Sequence, residues 1–329
     1  MTEVRDIISA LKDCRTVLLS VHKNPDGDAL GSQLGLMMAL EKRGKKVTAH
    51  NLDPLPEAYR FLPWSLRISH GPAVAGSYDA AVVLDGEPSR AGLFTGSWPA
   101  RTLINIDHHI TNPREWPLTW LDADATATGE MVYRLVDAMG LSLDKDMALC
   151  LYTSIFTDTG SFRYSNTTPE SMRIAARLID AGADPWLVTE QVYESVAFRR
   201  IKLLGLVLGG MERSTDGRIA WVVVTDELYR QTGTTAEDTD NFVNYARSVK
   251  GVEVAVLFRQ TGPEEYKISL RSKGRVDLSG LATSLGGGGH KNAAGGVVTG
   301  MLPAVKDRVV GAVERELEAQ LGKGTAPAA

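Results

Sequence analysis

Residues 22–32 of this chain read His22-Lys-Asn-Pro-Asp26-Gly-Asp28-Ala-Leu-Gly31-Ser32, with one imidazole and two carboxylates on a turn shaped by Pro25 and Gly27. Carboxylate oxygens with some imidazole are the donors that hard divalent ions such as Mn²⁺ or Mg²⁺ favour. An ordinary polar turn with an Asx cap uses the same residue types. Asp107-His108-His109 follows an apolar run, Asp85 closes AAVVL, and Asp158 sits in Thr157-Asp158-Thr159-Gly160 behind a helical segment. Each of these alone also reads as a turn or a helix end. Together the four element ends supply His22, Asp26, Asp28, Asp85, His108 and Asp158, enough to hold two divalent cations with one carboxylate bridging them. Two-metal sites stabilise both the attacking and the leaving oxygen of an in-line phosphoryl displacement.

A second group lies far along the chain, at Gly286-Gly-Gly-Gly-His290-Lys291-Asn292. Consecutive glycines let backbone N–H groups approach an anion. Gly287, Gly288 and Gly289, with His290 and Lys291 as further donors, are therefore expected to cradle a phosphate, the alternative being a flexible loop. Arg271, ending Ser269-Leu-Arg271, could grip a phosphate bidentately or be a solvated strand-end charge.

The elements that must position these residues alternate. Thr16–Val21, Lys46–Ala49, Ala80–Leu84 and Thr102–Ile106 read as strands. Gly31–Arg43, Thr128–Met139, Asp146–Phe156 and Thr168–Ala181 read as helices, the last with Pro169 at its start. This alternation predicts an α/β fold with a doubly wound, mostly parallel sheet, whose ligands sit at the carboxyl ends of the strands. After residue 197 the pattern changes. Ile201–Gly210 reads as an apolar connecting helix. Arg218–Thr225, Val252–Gln260 and Glu265–Arg271 read as strands, Phe242–Val249 and Leu278–Leu285 as helices, and Ala304–Leu321 as a closing amphipathic helix. The expected organisation is a catalytic metal-binding domain over 1–195, a connecting helix over 196–214, a smaller α/β substrate-binding domain over 215–322, and a frayed tail over 323–329.

A net charge of −4 argues against a protein that coats long duplex nucleic acid, which needs a strongly basic face. The two cysteines, Cys14 and Cys150, make no disulfide framework and fit a reducing compartment. The N-terminus lacks the apolar core of a signal peptide, and no apolar run approaches the roughly 18 residues of a membrane span. The expected location is the cytoplasm, with no membrane partner.

The motifs HKNPDGDALGS, the lone Asp85, DHH, TDTGSFRYSNTT and GGGGHKNAAGG occur in one order over about His22 to Gly296. In this the sequence resembles the DHH/DHHA1 phosphoesterases, in particular their bacterial nanoRNase and pAp-phosphatase branch. The resemblance implies a DHH domain followed by a DHHA1 domain and two divalent ions, Mn²⁺ first, with Mg²⁺ or Co²⁺ as alternatives. It implies that His22, Asp26 and Asp85 hold one ion and that Asp28, Asp85, His108 and Asp158 hold the other. Asp107 would orient its neighbours, His109 would face the scissile phosphate, and Arg271 and His290 would bind the substrate's phosphate. Implied substrates are dinucleotides, very short RNAs and 3′-phosphoadenosine 5′-phosphate (pAp), and a homodimer is compatible with the family. Same-family alternatives are a phosphodiesterase of cyclic dinucleotides or their linear products and an exopolyphosphatase. A nucleotide sensor without catalysis is the alternative of another class, and it should have lost at least one of the six ligands. One departure is local: after Asp85 the family often carries a small hydroxyl residue, and this chain has Gly86-Glu87.

Overall fold

The computed structural model describes residues 2–94 and 96–322, with only the backbone of His290. The tail expected to fray, 323–329, lies outside the described residues. The chain forms two compact units, Met1–Ser195 and Val196–Ala329.

The first unit runs α1 (Val4–Lys12), β1 (Thr16–Val21), α2 (Gly27–Lys42), β2 (Lys46–Asn51), β3 (Ser69–His70), β4 (Tyr78–Leu84) and α3 (Pro88–Ala91). It continues with β5 (Ala100–Asp107), β6 (Leu118–Leu121), α4 (Thr128–Ala138), α5 (Lys145–Asp158), α6 (Pro169–Asp180) and α7 (Pro185–Thr189). Six strands form one parallel sheet in the order β3-β2-β1-β4-β5-β6. The order reverses direction between β1 and β4, and at such a switch point the loops leaving the two carboxyl ends diverge and open a crevice. His22 follows β1 and Asp85 follows β4, so the two flank that crevice.

One face of the sheet, with Val17, Leu19, Val21, Val82 and Ile104, is buried under α2, α4 and α5. The other face, with Leu18, Ala81 and Val83, is closed by Ala91 of the short α3 and by Leu93, Trp98 and Trp116 from loops. Helix α2 begins earlier than the apolar spacing suggests. Asp26 caps it, accepting hydrogen bonds from the N–H groups of Asp28 and Ala29 at 3.1 Å each. A candidate metal ligand is thereby the residue that starts the helix.

The second unit runs α8 (Phe198–Gly209), β7 (Glu212–Arg213), β8 (Ile219–Val224), α9 (Asp226–Thr232), α10 (Phe242–Ser248), β9 (Val254–Gly262) and β10 (Glu265–Ser272). Then come α11 (Ser279–Ser284), β11 (Gly288–His290), β12 (Ala293–Thr299) and α12 (Leu302–Leu321). Its sheet has the order β11-β12-β10-β9-β8-β7, antiparallel except for the β8–β9 pair. Helix α8, read from sequence as a connection, is part of this unit's core: Leu203 and Val207 pack with Ala220, Val222, Phe242 and Leu257. The opposite face is covered by Val305, Val309, Val313 and Leu317 of α12.

Candidate metal centre

Two imidazoles are aimed by backbone carbonyls. His22 Nδ1 lies 2.7 Å from the Lys23 carbonyl, and His108 Nδ1 lies 3.1 Å from the Ala125 carbonyl. A carbonyl only accepts, so each Nδ1 carries a proton and each Nε2 faces away, available to a proton or to a cation. Both Nε2 atoms point into carboxylates. His22 Nε2 is 3.4 Å from Asp85 Oδ2 and 3.9 Å from Asp26 Oδ1. His108 Nε2 is 3.6 Å from Asp85 Oδ1, 3.6 Å from Asp28 Oδ2 and 3.9 Å from Asp158 Oδ2. The ligand atoms of His22, Asp26 and Asp85 lie close enough to hold one metal ion, and those of Asp28, His108 and Asp158 close enough to hold another. Asp85 gives one oxygen to each side. An all-oxygen-and-imidazole donor set of this kind fits divalent cations.

Asp85 reaches this position through its backbone. It has φ +59° and is followed by Gly86 at φ +137°. The first value is sparsely populated by residues with a side chain, though Asp tolerates it better than most. The second is glycine territory, so Gly86, where the family often carries a small hydroxyl residue, suits the backbone of this turn. Thr128 Oγ1 donates to Asp85 Oδ1 at 3.1 Å. Asp28 is held more firmly still. It accepts from the N–H groups of Thr128 (2.8 Å) and Gly129 (3.1 Å) at the start of α4, and from the hydroxyls of Ser32 and Ser154.

Crowding of carboxylates in a buried site sets the electrostatics. Burial, then the charge of Asp85, pushes Asp28 well above the usual carboxylate range. Burial pushes Asp158 up to about 6; His108 works against this and Asp85 with it. Burial disfavours the charged form of His22, but the hydrogen bond and charge of Asp85 outweigh it and raise the imidazole to about 9. His108 is likewise raised to about 9, by Asp28, Asp85 and Asp158 against its burial. Asp85 is the exception. Burial opposes its charge, yet the bond to His22 and the nearby His109 and His108 hold it far below the ordinary value. The cluster thus gathers protons onto its histidines, and a divalent cation satisfies the same demand.

His109 also lies near Asp85, with Nδ1 3.8 Å from Oδ1. That nitrogen, however, is 2.7 Å from Asp107 Oδ1, which also accepts the His109 backbone N–H at 3.1 Å. The bond to Asp107 engages Nδ1 and sets the ring orientation, which distinguishes His109 from His22 and His108, although Asp85, His108 and His109 also lie close enough to hold an ion.

Comparison with known proteins fits this geometry. A family model described as the DHH family, N-terminal domain, matches residues 16–155, and one described as the DHHA1 domain matches residues 217–319. The chain is 37% identical over 320 residues to the bifunctional oligoribonuclease and PAP phosphatase NrnA of Thermus thermophilus, covering 96% of this chain and 94% of that protein. The chain belongs to the DHH family. A protein of the same name from Bacillus subtilis is 28% identical over 294 residues, covering 88% and 91% of the two chains. The crystal structure of an exopolyphosphatase-related protein from Bacteroides fragilis matches with a TM-score of 0.87 at 29% identity, over 96% and 95% of the two chains.

In this DHH-family chain the glycine stretch behaves differently from the expected cradle. The N–H of Gly286 donates to Thr283 and that of Gly287 to Ala282, so neither is open to a phosphate. Gly288 and Gly289 lie in β11, paired with Gly295 and Ala294. A Cβ on Gly287 would land on the Gly295 carbonyl oxygen, and one on Gly289 on the backbone of Ala293 and Ala294. These glycines serve close strand approach. Arg271 is half-buried and donates to the Leu270 carbonyl at 3.0 Å. The register places Arg271, Ala293 and His290 in one row across β10, β12 and β11. The His290 side chain lies outside the description; Lys291 is exposed.

Sequence reading missed the residues that hold the ligands in place. Thr128, Gly129 and Ser154 reach Asp28 across long sequence separations, whereas Ser32, and Asn166 with its Nδ2 3.3 Å from Asp158 Oδ2, lie inside the quoted motifs without having been given a role. Asn112, four residues beyond His108, was within reach: a buried amide next to DHH needs a polar partner.

Proposed function

We propose that this chain is a two-metal phosphoesterase that hydrolyses dinucleotides and very short oligoribonucleotides and converts pAp to AMP. The observation that carries the reading is Asp85, whose two oxygens face two separate histidine–carboxylate groups at 3.4 and 3.6 Å. His22, Asp26 and Asp85 would hold one divalent ion, and Asp28, Asp85, His108 and Asp158 the other. When bound, such ions lower the pKa of a water and offset charge on the phosphoryl oxygens. Mn²⁺ suits six ligands that mix carboxylate oxygen with imidazole, and Mg²⁺ and Co²⁺ are its competitors.

The chain's own groups do the rest. His109, fixed through Nδ1 by Asp107, faces the scissile phosphate and stabilises its developing charge. Arg271, His290 and Lys291 of the second unit bind the substrate's terminal phosphate. The protein is read as cytoplasmic: Cys14 and Cys150 are buried free thiols, and no described helix is long and apolar enough to cross a membrane. The relatives named as oligoribonuclease and PAP phosphatase support the substrate class. The Bacteroides relative's name keeps polyphosphate in view as a second substrate.

The test is a hydrolysis panel with Mn²⁺, Mg²⁺ or Co²⁺, using labelled RNAs of graded length, pAp, linear and cyclic dinucleotides, and polyphosphate. Turnover of dinucleotides and pAp is expected. Binding without turnover of any of them would establish a sensor instead. In parallel, His290→Ala should raise KM while two equivalents of Mn²⁺ remain bound; loss of one equivalent would move His290 into the metal site.

A further inference from the structure

Behind the centre, Asn105, Asn112, Asp107 and His109 form a continuous chain of hydrogen bonds, buried as far as Asp107. Asn105, fully buried on β5, donates through Nδ2 to the carbonyls of Val83 (3.0 Å) and Gly86 (2.8 Å), on either side of Asp85. Asn112 donates through Nδ2 to Asn105 Oδ1 (2.8 Å) and to Asp107 Oδ2 (2.5 Å), and its Oδ1 accepts the Arg114 N–H at 2.7 Å. Asp107, also fully buried, then holds His109. All four amide hydrogens have one acceptor each, so both amide orientations are determined by their surroundings rather than assumed. A fully satisfied buried network is rigid, and its members support one another.

We infer that Asn112, acting with Asn105, is a positioning residue that couples the Asp85–Gly86 turn to the orientation and tautomer of His109. The carbonyl of Gly86 belongs to the left-handed turn that splits the Asp85 oxygens between the two groups. The far end of the same chain decides which nitrogen of His109 carries the proton. Without the Asn112 donor, Asp107 Oδ2 loses its buried partner and the carboxylate is held only through Oδ1, by His109 itself. Its hold on His109 Nδ1 then weakens. Neither asparagine is among the six candidate ligands, so the effect reaches catalysis through geometry. The inference rests on the reading of His109 as the group facing the phosphate.

The test uses the full chain loaded with Mg²⁺ and ¹⁵N-labelled at histidine, with His109 assigned by His109→Gln. In the wild type, long-range ¹H–¹⁵N correlation should show His109 solely as the Nδ1–H tautomer. Asn112→Leu, of similar volume, should bind two equivalents of metal yet show a mixed His109 tautomer. Its kcat should fall about 10- to 100-fold, the usual cost of removing a supporting partner, with KM changed less than about twofold. Asn112→Ser removes the same amide and decides the matter if the leucine variant does not fold. A folded variant that keeps the single tautomer, or that loses activity only in proportion to lost metal, overturns the inference. Should the wild type hydrolyse no dinucleotide, the proposed function fails while the tautomer measurement still reports on the coupling.

Discussion

Asp85 is the residue on which the chemistry turns, because it alone faces both histidine-centred groups. Asp85→Ala should lower kcat by well over tenfold, each factor of ten being about 1.4 kcal/mol of barrier, and should weaken binding of both ions. Retention of a tenth of the wild-type kcat would exclude the bridging role. The titrating groups give a second expectation. His22 and His108, raised from 6.5 to about 9, and Asp158, raised to about 6, all bind protons more tightly in the folded chain than when unfolded. Raised values mean stability that is full below the unfolded value and lost as pH rises through the folded one. The metal-free protein should therefore lose thermal stability in two steps, between about pH 4 and 6 and between about pH 6.5 and 9. Metal affinity should rise over the same span, because ions displace those protons. Melting scans across pH, with chelator and with Mn²⁺, check both; a metal-free melt that is flat or rises above pH 6.5 would contradict the assignment. The six candidate ligands stood out in the sequence because each follows an apolar segment within a few residues, and the structure brings them together. Asn105, Thr128 and Ser154 did not, since their partners are distant in the chain and a lone hydroxyl or amide looks the same in a core as in a loop.

At the scale of elements, the centre depends on how closely α2 approaches α5. A Cβ on Gly31 would land on the Cys150 carbonyl oxygen and sit 2.9 Å from Ser154 Cβ, while one on Gly27 would run into Thr157 and one on Gly35 into Leu151. These three glycines, four residues apart, let α2 lie against α5. Asp28 near the start of α2 thereby comes close to Ser154 and, through His108, to Asp158 at the end of α5. Gly31→Ala should destabilise the metal-free protein by about 1–3 kcal/mol, the common cost of overpacking, because the obstacle is backbone and cannot swing aside. It should also weaken metal binding by spreading Asp28 from His108. A chelator-treated melting scan and a metal titration measure the two effects, and an unchanged melting temperature would show that the helices yield freely. Four strands of the first sheet, β1, β2, β4 and β5, were legible as short runs rich in strand-forming residues, whereas β6, the four-residue Leu118–Leu121, was not. Strand β12 was not legible either. Its sequence Ala-Ala-Gly-Gly-Val-Val-Thr lacks strand propensity at the start, and the glycines are there because Gly295 has the Ile268 carbonyl against it and Gly296 has Gly287. The two-residue β3 and β7 are too short to carry a pattern.

For the whole molecule, charge and sheet surface set an upper limit on substrate length. The net charge is −4, which disfavours long-range attraction of a polyanionic strand. The second unit's cations are spread over it, and several are paired with its own carboxylates. Arg275 is paired with Glu253 at 2.8 Å and Lys273 donates to the Val249 carbonyl, while Arg271, Lys267 and Lys291 are further cations on or beside β10 and the β11–β12 turn. Beside them the strand register places Ser269, Ala293, Gly295 and Gly288, small residues without rings on which successive bases could stack. Non-specific binding of long single strands gains its affinity from many phosphate contacts, each adding to the slope of affinity against salt by about 0.7. Three cations cannot supply that gain, whereas they suffice for a terminal phosphate. We therefore expect kcat/KM to peak at two to about four nucleotides and to fall steeply by about 24, with a shallow dependence on salt throughout. Steady-state kinetics on a length series at two salt concentrations measures this. A 24-mer cleaved as efficiently as a dinucleotide, with a steep salt dependence, would place the chain among processive exonucleases and remove the short-substrate reading.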